Sequence, residues 1–425
     1  MGLVRRSDKP IDRSSSQDQS NGRCRHARLP RSWNAPDRVC RRKKKIMFVT
    51  HLVMTAALTA AINAAPGYGQ PDLRRDAERI VAGGATGVQV RVTGESTSMV
   101  ATAGVADLRT KSPVPPNGYF RIGSSNKAFV ATVVLQLAGE GKLSLDDTVD
   151  RWLPGLIKGH GNDGRKITVR DLLQHTSGII DDYPYPTAIA SSREYRRHRH
   201  DTYTPQQVIS RAMRHKPAFA PGKGWLYSNT GYAALGLIIE KATGRPWHEE
   251  VARRVIKPLG LKHTRWPAGS AELPRPHARG YSVFKTSEGF VDTTRHRDAD
   301  ASGGLISTTA DLDRFFTALL GGKLLRPAQL AEMRKTVPVA TELQRVWPGA
   351  RYGLGLIQRP LPCGGTYLGH GGDILGFMTR TGVTADGKRR IVISVSTERL
   401  DSTERALQLE AAADRLINRA LCKTR

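Results

Sequence analysis

The chain has 425 residues, enough for one large domain or two interleaved domains with a substantial buried core. It carries 66 Lys and Arg against 38 Asp and Glu, a formal net charge of +28. Taken alone, such a surplus favours an anionic partner such as nucleic acid or a charged surface. The length and composition exclude a short peptide, a repeat array and a wholly disordered chain.

Part of the positive charge lies at the N-terminus. Residues 1–45 contain 14 Lys and Arg against four Asp and Glu and have no apolar periodicity, which predicts a disordered basic extension. Alternatively, translation starts near Met47, and these residues are an artefact of start-site assignment. The basic run at 193–200, "REYRRHRH", resembles no nucleic-acid motif and is interpreted as a solvated loop, so we expect no nucleic-acid partner.

A candidate export segment follows the basic extension. The run "IMFVTHLVMTAALTAAINAA" spans 46–65 and precedes the turn-forming "PGYGQP", a pattern typical of a secretory signal peptide. We predict a signal peptide over 46–70, cleaved between Ala64 and Gln70. A retained membrane anchor is the alternative, because 20 residues could span a bilayer, but His51 and the many Ala and Thr favour cleavage. The expected location is therefore secreted, periplasmic or at the cell envelope.

The rest of the chain, 71–425, predicts an α+β fold in which an antiparallel sheet is flanked by helices. A helical pattern in "DLRRDAERIVAGG" is followed by a hairpin that turns near Gly94 and Glu95. Segments 71–145 and 301–425 form the predicted sheet lobe, with "YGLGLI" among its strands and "TERALQLEAAADRLINRAL" as a final amphipathic helix. Short helices and loops over 146–300 predict a mostly helical lobe. Thr308 or Thr309 is a candidate N-cap of the next helix.

A first candidate site lies in "FRIGSSNKAF", where Ser124 and Lys127 precede a long apolar run. If a helix starts near Ser124, positions three apart share a face, so the Lys127 amine can lie beside the Ser124 hydroxyl. A helix N-terminus also favours developing negative charge. A serine that only caps the helix is the structural alternative.

Two further motifs follow in order. In "WLYSNTGY", Tyr227 could accept a proton, and the Asn229 amide could hold a lysine and bind a carbonyl, although a structural Tyr and a capping Asn fit as well. In "YLGHGGDILGF", small residues next to His370 would let a substrate backbone approach an edge strand. The glycine-rich "GHGNDG" at 159–164 lies in a polar stretch and is expected to be a plain loop rather than a phosphate site.

Four cysteines are present, and two of them, Cys24 and Cys40, precede the signal segment. None belongs to a CxxC pair, so no metal site is expected. In an exported protein Cys363 and Cys422 form either one disulfide or two separately buried thiols.

The motifs SSNK, YSN and HGG, taken in this order, resemble the SxxK, YxN and [KH]xG motifs of the penicillin-recognising serine hydrolases. More specifically, the chain resembles the serine-type D-alanyl-D-alanine carboxypeptidases, the class C β-lactamases and related esterases. The secreted carboxypeptidases share "YGLGL", a Cys before the HxG histidine and a Cys near the C-terminus. The resemblance implies a β-lactamase/transpeptidase-like fold and favours a Cys363 to Cys422 disulfide.

The resemblance also implies a mechanism. Ser124 would attack a carbonyl and form an acyl-enzyme, while Lys127 and Tyr227 share the proton transfers. Either of these two could be the base, and a Tyr227 anion would be stabilised by Lys127 and His370. No cofactor or metal is required. His175 in "LLQHTSGI" resembles a family loop residue rather than a member of a catalytic triad.

The same resemblance assigns substrate binding to Asn229 and to the segment His370, Gly371, Gly372 and Asp373. The backbone N–H groups of Ser124 and Asp373 would form the oxyanion hole. Asn229 would hold the lysine and the substrate amide.

The chain departs from the carboxypeptidase pattern where the substrate carboxylate is bound. The family Arg after "YGLGL" and the Thr residues within and after HTG are replaced by Ile357, Gly371 and Asp373. An apolar side chain and a carboxylate disfavour an anionic terminus, unless Arg359 reaches the site. We expect an exported, monomeric serine hydrolase acting as a D-alanyl-D-alanine carboxypeptidase-like peptidase on a cell-wall peptide. The alternatives are an esterase or amidase, a β-lactamase, or a non-catalytic penicillin-binding protein.

Overall fold

A computed structural model describes residues 68–183, 191–297 and 300–422. The basic extension and nearly all of the predicted signal segment lie outside these ranges. Within them, no helix combines the length and the apolar character needed to cross a bilayer.

The helices of the described ranges vary from single turns to a C-terminal helix of 19 residues. They are α1 Gln70–Ala82, α2 Asn126–Gly139, α3 Val149–Trp152, α4 Val169–Gln174, α5 Ser192–His198, α6 Pro205–Ala212, α7 Asn229–Thr243, α8 Trp247–Val251, α9 Lys257–Leu259, α10 Thr309–Leu320, α11 Pro327–Met333, α12 Thr341–Val346 and α13 Thr403–Leu421. A 3₁₀ turn, Gly123–Ser125, directly precedes α2, and a π-helical turn, Ala252–Ile256, joins α8 to α9.

The strands of residues 68–183, 191–297 and 300–422 form one large antiparallel sheet and three small ones. They are β1 Gly87–Thr93, β2 Ser98–Gly104, β3 Phe120–Arg121, β4 Lys158–Gly159, β5 Asn162–Asp163, β6 Tyr281–Val283, β7 Val291–Asp292, β8 Ile306–Ser307, β9 Val337–Pro338, β10 Arg351–Tyr352, β11 Ile357–Pro360, β12 Thr366–Gly369, β13 Gly372–Ile374, β14 Phe377–Thr384, β15 Arg390–Val395 and β16 Thr397–Arg399. The large sheet has the order β2-β1-β15-β14-β12-β11-β10-β9, with β13 paired to β14. The small sheets are β16-β6-β7, β3-β8 and β4-β5.

Alternation along the central strands gives the large sheet two buried faces. Val88 and Val90 of β1 pack with Ile393 of β15 against α1 and α13. Val392, the residue before Ile393 on β15, packs on the opposite side of the sheet, in the core that contains α2, α7 and α10. Because side chains of a strand alternate between faces, both layers of helices can bury apolar surface on the same strands.

Helices α2 and α7 lie at the centre of the core on the Val392 side of the large sheet. Eleven of the 14 residues of α2 are buried, and its apolar side chains surround the whole helix instead of one face. Such a helix is stable only when other elements enclose it. Phe129 of α2 stacks on Phe315 of α10 with ring centroids 3.6 Å apart, and α7 packs beside α2.

The structure confirms the α+β class, the β1–β2 hairpin and the C-terminal helix. Thr308 is the N-cap of α10, since its side chain accepts a hydrogen bond from Asp311 N. The prediction that "YGLGLI" is a strand is wrong, because β10 ends at Tyr352 and β11 begins at Ile357. The bend between them lies close to α2: a Cβ added to Gly355, which has a φ of +77°, would lie 2.5 Å from Ala131 Cβ. The stretch "GHGNDG", predicted as a plain loop, contains most of the β4–β5 hairpin.

Candidate active site

Ser124 lies in the 3₁₀ turn at the N-terminal end of α2. Its side chain is partly accessible, whereas the neighbouring Ser125 is fully buried and donates a hydrogen bond to His370 O at 2.9 Å. The two adjacent serines are therefore not equivalent. Solvent can reach the Ser124 side chain, whereas Ser125 links the turn to the segment before β13.

Lys127 lies one turn into α2 and its side chain is fully buried. Its Nζ donates to Ser124 Oγ at 3.0 Å, to Asn229 Oδ1 at 2.7 Å and to Ser302 O at 2.9 Å. A buried ammonium is costly unless polar acceptors surround it, and these three oxygens supply that environment. The i, i+3 spacing thus places the amine directly beside the hydroxyl, as the sequence predicts.

Tyr227 contacts the same centre from the segment before α7. It is hydrogen-bonded to Ser124, and the Lys127 Nζ lies 4.8 Å from its ring centroid. Burial raises the pKa of the Tyr227 phenol well above its ordinary value, and the bond with Ser124 offsets only part of that rise. Tyr227 is consequently a neutral phenol at pH 7 in the resting protein.

Asp181 is a contributor that the sequence did not reveal. Its carboxylate accepts five hydrogen bonds: from Ser228 Oγ at 3.1 Å, from Asn229 N at 2.8 Å and Nδ2 at 3.0 Å, and from Thr230 N and Oγ1 at 2.9 Å each. Because Asn229 Nδ2 faces this carboxylate, its Oδ1 must face Lys127. The only sequence signal was an acidic pair after "QHTSGII", which does not distinguish Asp181 from Asp182.

A second unpredicted contribution comes from the segment before β8. Ser302 offers its carbonyl oxygen to Lys127, and its N–H donates to Asp300 Oδ1 at 2.7 Å. The other carboxylate oxygen of Asp300 accepts a bond from Tyr183 OH at 2.6 Å. Backbone acceptors of this kind leave no residue-type signal, so sequence patterns cannot find them.

His175 has a structural position behind Tyr227. It ends α4 in the left-handed conformation, with φ of 64°, and its ring lies 4.3 Å from the Tyr227 ring, centroid to centroid. Its Nδ1 accepts the Ser228 N–H at 3.1 Å, and burial holds its pKa well below the ordinary value. A neutral imidazole in this arrangement positions the Tyr227 segment, in agreement with the predicted loop role.

Strand β13 borders the centre on its other side, with Gly372 against the 3₁₀ turn. A Cβ added to Gly372 would lie 2.0 Å from Ile122 O and 2.8 Å from Ser124 N. A Cβ added to Gly123 would lie 3.1 Å from Asp373 N. The two glycines therefore let the backbones at Ser124 and Asp373 approach closely, where the family resemblance places the oxyanion-hole donors.

His370 differs from the expectation that it would help to stabilise a tyrosine anion. Burial, followed by the charge of Lys127, lowers its pKa to about 3, so the ring is neutral at pH 7. Its Nε2 lies 2.8 Å from Tyr352 OH and its Nδ1 lies 2.5 Å from Gly371 O. The histidine therefore positions the HGG segment and supplies no positive charge.

Near the positions that depart from the carboxypeptidase pattern, the side chains of Arg359, Asp373 and Ile357 contact other groups of the protein. Arg359 does not compensate, because it forms a two-point ion pair with Asp414 at 2.6 Å for each contact. Asp373 is bound by Arg380 at 2.8 and 3.2 Å, and Ile357 packs in an apolar cluster that includes Tyr227.

Cys363 and Cys422 form a disulfide with Cα atoms 5.7 Å apart. It joins the turn between β11 and β12 to the end of α13.

The β-lactamase family model matches residues 73–417. The fold and the match together place the protein among the serine hydrolases of the β-lactamase fold. The chain belongs to the β-lactamase family.

Two solved structures show the likeness at the level of the whole domain. A D-stereospecific amidohydrolase from Streptomyces sp. is 37% identical, with a TM-score of 0.72 over 80% of this chain and 98% of that chain. A D-amino acid amidase from Ochrobactrum anthropi SV3, complexed with L-phenylalanine amide, is 27% identical, with a TM-score of 0.70 over 82% of this chain and 97% of that chain.

Curated relatives include penicillin-binding proteins. One from Bacillus subtilis (strain 168) is 29% identical over 324 residues, 73% of this chain and 67% of the relative. A second Bacillus subtilis protein, PbpX, is 28% identical over 270 residues, 63% of this chain and 60% of the relative. The chain thus spans about two thirds or less of the length of these relatives.

Proposed function

We propose that the protein hydrolyses amide bonds next to a D-configured amino acid residue through an acyl-enzyme on Ser124. The contact that carries the catalytic part is Lys127 Nζ to Ser124 Oγ at 3.0 Å, with Asn229 Oδ1 and Ser302 O as the other acceptors. The likeness to a D-stereospecific amidohydrolase at 37% identity over 80% of the chain supports the substrate class.

In the proposed first step, Lys127 acts as a neutral amine, after its ammonium form has released to solvent the proton that faces Ser124 Oγ. Its two N–H bonds then meet Asn229 Oδ1 and Ser302 O, and the lone pair faces Ser124 Oγ. The Ser124 proton moves to Lys127 while Oγ bonds to the substrate carbonyl carbon. The high pKa of Tyr227 supports Lys127 rather than a phenolate as the base.

In the second step the amide C–N bond breaks and the leaving nitrogen takes the Tyr227 proton, which Lys127 replaces. Water then attacks the acyl carbon and gives one proton to the same pair of side chains. The bond between the acyl carbon and Ser124 Oγ breaks, Lys127 returns that proton to Oγ, and the acid is released. The oxyanion would be bound by the N–H groups of Ser124 and Asp373, and each such donor contributes roughly a factor of 100 to 1,000 in rate.

A D-alanyl-D-alanine carboxypeptidase is the second candidate. The Cys363–Cys422 disulfide supports it, because the resemblance to secreted carboxypeptidases includes both cysteines. Against it, the positions expected to bind a substrate carboxylate hold Ile357, Gly371 and Asp373. A disulfide also supports export to an oxidising compartment, and we propose that segment 46–70 directs this export.

The first test is intact-mass spectrometry after exposure to a fluorophosphonate and, separately, to a penicillin. Fluorophosphonate should add one label to the wild type and to Ser125→Ala, but none to Ser124→Ala. Ammonia release should then be faster from D-phenylalanine amide than from L-phenylalanine amide.

Other results point elsewhere. A labelled protein that cleaves a peptide ending in D-Ala-D-Ala but no amide would be a carboxypeptidase. Rapid turnover of penicillin would indicate a β-lactamase, and turnover of esters alone would indicate an esterase. Absence of any label would contradict the acyl-enzyme proposal and favour a non-catalytic binding protein.

A further inference from the structure

Asp373 of β13, Arg380 of β14 and Glu410 of α13 form a charged triad. Arg380 contacts Asp373 through both terminal nitrogens, at 2.8 and 3.2 Å, and contacts Glu410 Oε2 through Nε at 2.8 Å and a terminal nitrogen at 2.6 Å. Its remaining N–H donates to Thr379 O at 2.8 Å. All five donors of the guanidinium are therefore occupied.

The three side chains differ in their access to solvent. Arg380 and Glu410 are 11% and 8% exposed, whereas Asp373 is 54% exposed. The second Glu410 oxygen accepts a bond from Trp347 Nε1 at 2.7 Å, so Glu410 is satisfied inside the protein. The single positive charge of Arg380 is balanced by Glu410, and the triad keeps one unit of negative charge on its exposed member.

Two ionisable groups near the triad, Arg359 of β11 and Glu398 of β16, leave this surplus in place. Arg359 is paired with Asp414. Glu398, on β16, has a pKa raised to about 8 by burial and then by the charge of Asp373, so it is mostly uncharged at neutral pH. The Asp373 carboxylate is also close enough to the reacting centre to contribute to the raised pKa of Tyr227.

The position of Asp373 relates this charge to the substrate. Its backbone N–H is the proposed donor to the substrate carbonyl oxygen, and in an amino acid amide only the Cα atom separates the carbonyl carbon from the amino nitrogen. An ammonium on that nitrogen would therefore lie within reach of the Asp373 side chain. Gly371 adds no side chain on this surface. A Cβ added at this position would lie 3.2 Å from an Arg380 terminal nitrogen.

We infer that Asp373, oriented by Arg380 with Glu410 behind it, binds the free α-ammonium group of the substrate. The inference rests on the proposed function and narrows it, because the preferred substrates are amides and peptides with an unblocked D-configured N-terminal residue. Substrates whose α-nitrogen is acylated, as in a chain-internal position, are disfavoured.

The test compares D-phenylalanine amide with N-acetyl-D-phenylalanine amide at pH 7. We expect kcat/KM of the wild type to be at least tenfold higher for the free amine. Asp373→Asn should lower this preference roughly 10- to 100-fold, the range for a hydrogen bond to a charged group. The N-acetylated substrate is the internal control, because the backbone N–H of residue 373 stays in place and any general effect cancels in the ratio.

A second variant tests the charge balance without altering the surface that the substrate contacts. In Glu410→Gln, Arg380 can neutralise Asp373, so the preference for the free amine should fall, although less than in Asp373→Asn. Calorimetric binding of both amides to Ser124→Ala gives a readout that needs no turnover, and only the free amine should bind detectably.

The inference is overturned if the wild type cleaves both amides equally well, if Ser124→Ala binds both equally well, or if Asp373→Asn leaves the ratio of the two kcat/KM values unchanged. In those cases fluorophosphonate labelling and hydrolysis of either amide would still support the proposed function. A wild-type protein that takes no fluorophosphonate label and hydrolyses neither amide would contradict the proposed function itself.

Discussion

Replacing Asp181 by asparagine should damage both stability and catalysis, for a reason visible in the hydrogen bonds. One carboxylate oxygen accepts from Ser228 Oγ and from the N and Oγ1 of Thr230, while the other accepts from the N and Nδ2 of Asn229. The new amide keeps one oxygen and places an NH₂ group where the second oxygen was. That NH₂ group must face N–H donors on one side or the other.

On the side of Ser228 and Thr230 the NH₂ group can donate to both hydroxyls and opposes only the Thr230 N–H. On the side of Asn229 the Asn229 amide turns over so that its oxygen accepts from the NH₂ group. In the second arrangement Asn229 presents its own NH₂ group to the Lys127 ammonium, where the wild type has the Oδ1 acceptor at 2.7 Å. In either arrangement at least two hydrogen bonds to a charged acceptor are lost, and partial exposure lets water replace some of them. We expect a loss of about 2–4 kcal/mol in the free energy of unfolding. Because the second arrangement costs Lys127 one hydrogen bond to an acceptor, the rate of Ser124 acylation should fall roughly 10- to 100-fold where that arrangement prevails.

Chemical denaturation measures the free energy of unfolding. The rate of fluorophosphonate labelling, divided by the folded fraction of the protein, measures the acylation of Ser124. The matched control is Asp182→Asn, because Asp182 is the adjacent carboxylate and contacts Arg211 and His215 instead. The control should change the free energy of unfolding by less than about 1 kcal/mol and leave the labelling rate unchanged. If the folded fraction of Asp181→Asn labels Ser124 at the wild-type rate, Asp181 stabilises the fold only and the positioning argument fails.

Three further outcomes are expected. Gly372→Ala should lower the acylation rate at least 100-fold, because a Cβ 2.0 Å from Ile122 O forces β13 away from Ser124; wild-type rates would show that the close approach is not needed. Burial and the charge of Asp373 raise the pKa of the Glu398 carboxyl to about 8, so folding disfavours its ionisation. Glu398→Gln should therefore become stabilising relative to the wild type as pH rises from 4.5 to about 8, by about 2–4 kcal/mol at the upper end. A pH-independent difference in the free energy of unfolding would refute this. The double variant Cys363→Ser, Cys422→Ser should lose about 4 kcal/mol of unfolding free energy for a bridge that spans 59 positions, while its folded fraction still takes the fluorophosphonate label; unchanged denaturation midpoints would show that the bridge does not stabilise the fold.

The sequence was sufficient where a local pattern carries the information. The i, i+3 spacing of Ser124 and Lys127 determines their contact once a helix forms, because helical geometry places such positions on one face. Alternation and turn residues predicted the β1–β2 hairpin, and amphipathic spacing predicted the C-terminal helix. The strand expected over "YGLGLI" failed because an apolar run does not show that its middle must bend to let Gly355 approach α2.

Long-range partners were decided only by the tertiary structure. Lys127 meets Asn229 and Ser302 across separations of more than a hundred residues, and the orientation of the Asn229 amide depends on Asp181. The charge of His370 likewise depends on burial, since a histidine in a motif has no defined pKa until its surroundings are formed. Residue types and spacing therefore determined the chemistry available to this chain. Packing decided which acceptors each donor meets and which groups stay neutral, because both depend on distances that only the folded chain sets.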